Sequence, residues 1–181
     1  MYGLINIAIR DLVKSKFGED QWDQIFKQAG ATDADFVRMC PGDDASTYAL
    51  VGAASDVLGL PASAILQAFG EYWTEFTAEE GYGPLLDAAG STLPEFLQNL
   101  DQLHTRVGMM YPDLKPPSFV CSEITEGSLM LRYTSVRDGL DDLVIGLLHG
   151  LGRRFKVDVK IEQVSSKSDT GLGSVFHVSW S

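Results

Sequence analysis

Hydrophobic residues recur at intervals of three and four through the first hundred positions of the chain, which is the period of amphipathic helices. Gly18 and Gly59 follow two of these stretches directly and are typical helix-ending residues. Thr92 and Glu95 have capping-box spacing and mark the start of another helix. The predicted helices cover about 4–17, 20–29, 46–58, 61–80 and 93–108. The amino-terminal part is therefore predicted to be helical.

The hydrophobic period changes to two after a loop that contains Pro112, Pro116 and Pro117. Strands are predicted over about 119–125, 128–134, 157–162 and 174–180, with a helix over about 140–152 between the second and the third. This order predicts an α+β fold in which a helical amino-terminal half precedes an antiparallel β-sheet with one inserted helix. We expect one domain over 1–181, with a helical part of about 1–110 and an α/β part of about 111–181.

Composition and charge narrow the function classes. Apolar residues make up 45% and charged residues 22%, as in ordinary globular proteins. The formal net charge of −11 argues against nucleic acid or an anionic membrane surface as a partner. Two cysteines, Cys40 and Cys121, are too few for a disulfide framework, and no segment has the pattern of a signal peptide or a membrane span. A cytoplasmic location is the expectation.

His104 lies on the apolar side of the last predicted helix of the amino-terminal part. Leu97 and Leu100 precede it by seven and four residues, and Val107 follows by three. A lone histidine in such a place is most often a core residue that is hydrogen-bonded to a carbonyl group. One neutral imidazole is also sufficient as the protein ligand of haem iron, because the porphyrin supplies the in-plane nitrogens. Position alone leaves both interpretations open.

Tyr133, Ser135 and Arg137 follow one another at intervals of two at the end of a predicted strand. A guanidinium group binds carboxylates in bidentate fashion, and two hydroxyl groups add further donors, so this spacing suits a dicarboxylate ligand. The alternative is an exposed strand end at which Arg137 pairs with Asp138 or Asp141. The pattern is not specific by itself.

The two features together resemble a known family, the haem nitric oxide/oxygen-binding (H-NOX) domains, which also form the amino-terminal part of the soluble guanylate cyclase beta subunit. The resemblance extends over essentially the whole chain and rests on family-like segments. These segments are MYGLIN, LVGAAS, AFGEYW, EEGYG, LPEFLQNLDQLH, the PP of LKPPSF, YTSVR and GLLHGL.

The resemblance implies haem b as the cofactor, buried between the helical part and the sheet, with His104 as the axial iron ligand. It further implies that Tyr133, Ser135 and Arg137 bind the haem propionates and that Pro117 presses on the porphyrin. The remaining haem-pocket positions that it implies lie on predicted helices and are Ile5, Ile9, Trp73, Leu143 and Leu147.

The implied distal pocket is apolar. Family members that bind O2 stably have a distal tyrosine, but Leu143 is the nearest match here, and Ile9 replaces a polar-tipped aromatic residue. Because O2 gains more from a hydrogen-bond donor than NO or CO does, we expect NO and CO to bind and O2 to be excluded. Trp73 is either a packing residue or a donor to the gas.

A non-enzymatic gas sensor is therefore the expectation. Weakening or release of the His104–iron bond would carry the signal to a separate partner protein, such as a histidine kinase or a cyclic-dinucleotide enzyme. The alternatives are an O2-binding haem sensor or storage protein and, further removed, a haem-free interaction domain.

Overall fold

The computed structural model describes residues 1–38, 40–111 and 113–181; Pro112 of the predicted loop lies outside these ranges. In these ranges, the part up to Met110 is helical, and the strands, with further helices among them, lie after Pro117. The strands form an antiparallel sheet in which the first strand pairs with the second, the second with the fourth, and the fourth with the third. The predicted α+β fold, with a helix inserted between the second and third strands, is confirmed.

Most elements agree with the hydrophobic pattern. The helices are α1 Gly3–Phe17, α2 Glu19–Gln28, α3 Asp44–Leu58, α4 Ala62–Thr77, α5 Gly83–Asp87, α6 Leu93–Gln98, α7 Leu100–Met110, α8 Asp141–Phe155 and α9 Lys167–Thr170. A short 3-10 helix covers Asp33–Phe36, and a π-helical turn covers Ala78–Tyr82. The strands are β1 Ser118–Ser122, β2 Ser128–Thr134, β3 Val159–Ser165 and β4 Ser174–Trp180.

Glycines end α1 and α3 as the sequence predicts. Gly18 has φ 90° and Gly59 has φ 64°, backbone conformations that residues with a Cβ atom adopt at a cost. The amide of Gly18 donates to the carbonyl of Lys14, and that of Gly59 donates to the carbonyl of Ser55. These bonds satisfy carbonyl groups that would otherwise lack a partner at the helix ends.

The prediction of one continuous helix from Thr92 to about Gly108 is wrong. The helix is divided at Asn99, whose backbone has left the helical conformation and whose side-chain amide donates to the Ala89 carbonyl, 2.8 Å away. Competition from such a side-chain bond is a known cause of helix interruption. The predicted start is correct, since the Thr92 hydroxyl accepts from the Glu95 amide. The second segment, α7, ends at Met110 and so includes Gly108.

Other boundaries also differ from the sequence predictions. β1 is shorter than predicted and ends at Ser122, whereas β3 runs on to Ser165. α8 continues beyond Gly152 and ends at Phe155. The short helices α5 and α9 were not predicted, because each is fixed by a local turn or cap and not by a hydrophobic period.

Helices α4 and α8 lie very close together because glycines stand where they cross. A Cβ atom on Gly70 would lie 2.4 Å from the Leu143 carbonyl oxygen, and one on Gly146 would lie 2.1 Å from the Gln67 carbonyl oxygen. Gly150 is similarly close to Thr74. The two helices therefore approach with their backbones in contact, as small residues permit.

The core extends from the helices to the inner face of the sheet. On the sheet, the side chains of Leu129, Leu131, Phe176 and Val178 have no exposed surface. They belong to one buried hydrophobic cluster with residues of the amino-terminal helices and of α8. Alternate residues of β2 and β4 face this cluster, as expected for a sheet with one covered face.

No single helix in the described ranges is long and apolar enough to cross a membrane. One pair, α3 together with the 62–87 segment, has the length and composition of a membrane span, but the two segments are bent by 114° relative to each other.

Candidate functional site

A cavity of about 970 Å³ lies between the helices and the inner face of the sheet. This volume is at the upper end of the range of about 300–1,000 Å³ found for small-molecule and cofactor sites. All the site residues predicted from the sequence contribute to its wall: Ile5, Ile9, Trp73, His104, Pro117, Tyr133, Ser135, Arg137, Leu143 and Leu147. The chain thus brings together residues from four helices, the segment before β1, β2, and the connection that follows β2.

His104 is held in one tautomer by its backbone partner. Its Nδ1 atom lies 3.1 Å from the carbonyl oxygen of Pro117. A carbonyl oxygen only accepts, so Nδ1 carries the proton and Nε2 keeps a free lone pair in the neutral ring. Burial lowers the pKa of His104 below its usual value, against a smaller opposing effect of the Pro117 bond. The side chain is therefore a neutral imidazole at pH 7, the form that ligates metals.

Two further contacts fix the helix of His104 against the sheet. The Asp101 carboxylate, one turn earlier on α7, accepts from the Ser118 hydroxyl and from the Phe119 amide, each at 2.7 Å. The ring of Phe119 packs against that of His104 and against that of Tyr133, with centroid distances of 5.9 and 5.3 Å. The imidazole is consequently positioned by β1 as well as by its own helix. Sequence reasoning missed the role of Asp101.

Arg137 has a different partner from the two that its sequence position suggested. Its guanidinium group donates to both carboxylate oxygens of Asp44, from Nε at 2.8 Å and from Nη2 at 3.2 Å, and Nη1 donates to the Lys115 carbonyl at 2.9 Å. The alternative pairing with Asp138 or Asp141 is wrong: Asp44, the first residue of α3, binds the guanidinium group in bidentate geometry, and Asp138 pairs with Lys167 instead. Partial burial acts to raise the pKa of Asp44, but Arg137 and the terminal ammonium group together outweigh it and lower that pKa.

The guanidinium group keeps donors for a ligand in spite of these contacts. Five N–H groups are available on an arginine, and the three bonds above use three of them. Ser135 and Tyr133 stand beside Arg137 on the same wall of the cavity. Tyr133 is only 6% exposed, and this burial raises the pKa of its hydroxyl group, which therefore stays protonated as a donor.

Another part of the cavity wall is mainly apolar. Leu143 and Leu147 of α8 face it together with Ile5 and Ile9 of α1. The Trp73 ring stacks on that of Phe76 at a centroid distance of 5.9 Å and an interplanar angle of 27°. Its indole N–H has no hydrogen-bond partner among the residues that the structure describes. Trp73 therefore packs as a core aromatic residue and also retains a free donor.

A cluster of tyrosines that the sequence did not reveal closes one side of the cavity. The hydroxyl groups of Tyr82 and Tyr111 are hydrogen-bonded to each other, and the Tyr2 hydroxyl accepts from the Asp113 amide at 3.2 Å. Burial and the Tyr82 bond raise the pKa of Tyr111 to about 12. These two bonds use one of the three O–H groups as a donor, so the cluster is a polar part of the cavity wall.

The donor set of the cavity suits a metal that brings most of its own ligands. Within residues 1–38, 40–111 and 113–181, no group of three His, Cys, Asp or Glu side chains converges as a metal site. Burial raises the pKa of the Cys121 thiol to about 11, so this group stays protonated. A single neutral imidazole, an apolar cavity and a guanidinium group at its margin fit an iron porphyrin with acidic side groups.

Comparison with known proteins agrees with this arrangement. The model of the Haem-NO-binding family matches residues 2–163. The soluble guanylate cyclase gcy-31 of Caenorhabditis elegans is 32% identical over 176 residues, which cover 97% of this chain and 25% of that protein. Gcy-35 of the same organism is 33% identical over 171 residues, or 90% of this chain and 25% of the relative. The chain thus spans about a quarter of the length of these relatives.

Solved structures show the same fold. An unliganded Fe(II) H-NOX protein from K. algicida is 26% identical, with a TM-score of 0.85 and coverage of 100% of this chain and 97% of that one. An H-NOX protein from S. oneidensis in the Fe(II)NO state has a TM-score of 0.90 at 19% identity, with coverage of 100% and 99%. Fold and site thus define a haem-binding sensor domain. The chain belongs to the Haem-NO-binding, or H-NOX, family.

Proposed function

We propose that this chain binds haem b in the cavity and senses NO through it. His104 would hold the iron through Nε2, and Tyr133, Ser135 and Arg137 would bind the propionates. The observation that carries the proposal is the placement of a neutral, tautomer-fixed imidazole and the guanidinium group of Arg137 on the wall of one apolar cavity of cofactor size.

The residues of the chain have separate tasks in this proposal. When bound, haem supplies an iron atom whose free axial position takes a diatomic gas. Pro117 holds the imidazole in orientation through its carbonyl group and lines the cavity beside it, where its ring would press on the porphyrin. The helices α1 and α8 would exclude water from the gas side with Ile5, Ile9, Leu143 and Leu147.

The apolar gas side favours NO and CO over O2. A donor to the gas contributes a net ~1 kcal/mol, and O2 depends on it more than NO or CO does. Leu143 and Ile9 carry no donor, which supports the exclusion of O2. A specific observation favours the alternative, an O2-binding sensor or storage protein: Trp73 lines the same cavity, and its indole N–H has no hydrogen-bond partner among the residues that the structure describes.

The proposed signal begins at His104 and leaves through α7. Weakening or release of the His104–iron bond would free α7 to shift relative to β1, to which Asp101 ties it. Such a shift would change the surface offered to another protein. The proposed recipient is a separate signalling enzyme, such as a histidine kinase or a cyclic-dinucleotide enzyme, with no catalysis in these 181 residues.

The test is the absorption spectrum of the protein after reduction without air, followed by separate exposure to NO and to air. A five-coordinate ferrous spectrum that changes with NO but gives no stable new species in air supports the proposal. A stable species in air would instead support the O2-binding alternative and would assign Trp73 as the first donor to examine.

Replacing Arg137 with alanine should accelerate haem loss by about 10- to 100-fold, because a charge-assisted hydrogen bond of ~1.5–3 kcal/mol to a carboxylate is removed. The rate is measured by transfer of haem to a scavenger protein. Arg132→Ala is the matched control, since Arg132 is exposed on the outer face of β2 and does not line the cavity. Equal rates for the two variants would reject the propionate assignment.

Replacing Leu143 with tyrosine should introduce O2 binding, with a gain in O2 affinity of about five- to tenfold from one new hydrogen bond. Leu143→Phe adds the same ring without the hydroxyl group and should behave like the parent protein. The measurement is the spectrum of the reduced protein in air. A stable species in both variants would show that pocket shape, and not the donor, controls O2 exclusion.

A further inference from the structure

The connection between β2 and α8 contains Ser135 and Arg137, two of the residues that are proposed to bind the haem propionates. Within the connection, the Arg137 amide donates to the Ser135 hydroxyl oxygen at 3.1 Å. Gly139 follows with φ 72°. This local turn orders the backbone around Arg137 but does not attach the connection to the rest of the protein. External contacts must therefore fix its position.

Lys167 makes two such contacts, one on each side of Arg137. Its Nζ atom donates to the Ser135 carbonyl oxygen at 2.8 Å and pairs with the Asp138 carboxylate at 2.6 Å. Asp138 is also held by Tyr48, whose hydroxyl group donates to its carbonyl oxygen at 2.9 Å. The ammonium group thus bridges the residues that flank Arg137 in the chain and sets the separation between them.

The backbone of Lys167 is itself firmly attached. It is the first residue of α9, whose cap is the Ser166 side chain in a capping box with Asp169. The Lys167 amide donates to the Ser174 hydroxyl oxygen at 3.0 Å, and the fully buried Ser174 donates in turn to the Asp141 carboxylate at 2.8 Å. α9 is consequently anchored to β4 and to the first turn of α8.

We propose that Lys167 is a positioning residue for propionate binding, which acts by holding the Ser135–Asp138 segment in place. The inference rests on the proposed function. Lys167 does not line the cavity and lies beyond the residues that the family model matches, 2–163. It therefore acts through Ser135 and Arg137 and not by contact with the ligand.

The bond to the Ser135 carbonyl carries most of the expected effect. Asp138 is 84% exposed, so its ion pair with Lys167 is screened by water and contributes little. The Ser135 carbonyl lies in a partly buried place, where a hydrogen bond from a charged donor is stronger than a neutral one. Its loss should release the turn that presents the Ser135 hydroxyl and the Arg137 guanidinium group.

The test compares the rate of haem loss from the holoprotein in a set of matched variants. Lys167→Met removes the ammonium group and keeps the alkyl stem, and it should accelerate haem loss by about five-fold. Lys167→Arg, which keeps a charged donor, should remain within about two-fold of the parent. Lys160→Met makes the same change at an exposed site on β3 and should have no effect.

A chemically modified haem distinguishes a positioning role of Lys167 from a general effect of Lys167 on the stability of the protein. Haem whose propionates are methyl esters offers no carboxylate to Ser135 and Arg137, so Lys167→Met should not change its rate of loss. Equal acceleration with haem and with its dimethyl ester would overturn the inference, and so would an unchanged rate with haem. Arg137→Ala is measured in parallel: if it too has no effect, the propionate assignment itself has failed, and if it alone accelerates haem loss, only the role of Lys167 is rejected.

Discussion

His104→Gly is expected to yield protein that loses haem during purification, with at least a ~100-fold lower affinity. Removing even an outer partner of a metal ligand typically costs about 10- to 100-fold, and here the ligand itself is removed. No second imidazole or thiolate takes over, because among the described residues that line the cavity His104 is the only histidine and none is a cysteine. Imidazole added to the medium should enter the space left by the side chain and restore both haem content and the ferrous spectrum.

His149→Gly is the matched control for that variant. It makes the same substitution in a helix, α8, at a histidine that does not line the cavity. It should lower the free energy of unfolding by about 1 kcal/mol, as glycine does in a helix interior, and leave the haem spectrum unchanged. Haem content is measured as the pyridine haemochrome. Full haem content in His104→Gly without imidazole would contradict the assignment of the axial ligand.

Gly146→Ala is expected to lower the free energy of unfolding by about 2–3 kcal/mol, although alanine is the better helix former. The reason is the contact between α4 and α8, in which the new Cβ atom would lie 2.1 Å from the Gln67 carbonyl oxygen. Because the Gln67 oxygen belongs to the backbone of α4 and a Cβ atom is fixed rigidly to the backbone of α8, the helices must separate to admit it. Both helices also line the gas side of the cavity, so the variant should widen the cavity between Trp73 and Leu143 as well.

Gly52→Ala should change the free energy of unfolding in the opposite direction. Gly52 lies in the middle of α3, is exposed, and has open space where a Cβ atom would stand. This change should raise the free energy of unfolding by about 0.5–1 kcal/mol. Both values are measured by urea denaturation at equal haem occupancy. A gain in stability in Gly146→Ala that equals the gain in Gly52→Ala would contradict the close approach of α4 and α8.

The fold was predictable where the hydrophobic period and the residues that typically end helices or strands indicate the same boundary. α1 ends at Phe17, before Gly18, and β4 covers Ser174–Trp180, both as the pattern indicates. The division between α6 and α7 was not predictable, because it depends on a bond from Asn99 to the carbonyl of Ala89, ten residues earlier. The α9 helix was missed because a four-residue element is set by its cap at Ser166 and has no period to detect.

The site was predictable as a set of residues but not as a geometry. His104 and Arg137 could be selected by residue type and spacing, and each had a structural alternative that the sequence left open. The sequence did not reveal the hydrogen-bond partner of either residue. The Pro117 carbonyl fixes the tautomer of His104, and Asp44 binds Arg137 from 93 positions earlier in the chain. Such partners depend on tertiary packing, and so does the cavity.

The most direct test of the central claim is a titration of haem into the purified protein after its own haem has been removed, followed by anaerobic reduction. If His104 holds haem in this cavity, the Soret region should show a saturable change that ends at equimolar haem, with a five-coordinate ferrous spectrum typical of one imidazole ligand. Binding that does not saturate, or that proceeds identically in His104→Gly, would contradict the claim that this cavity holds haem through His104.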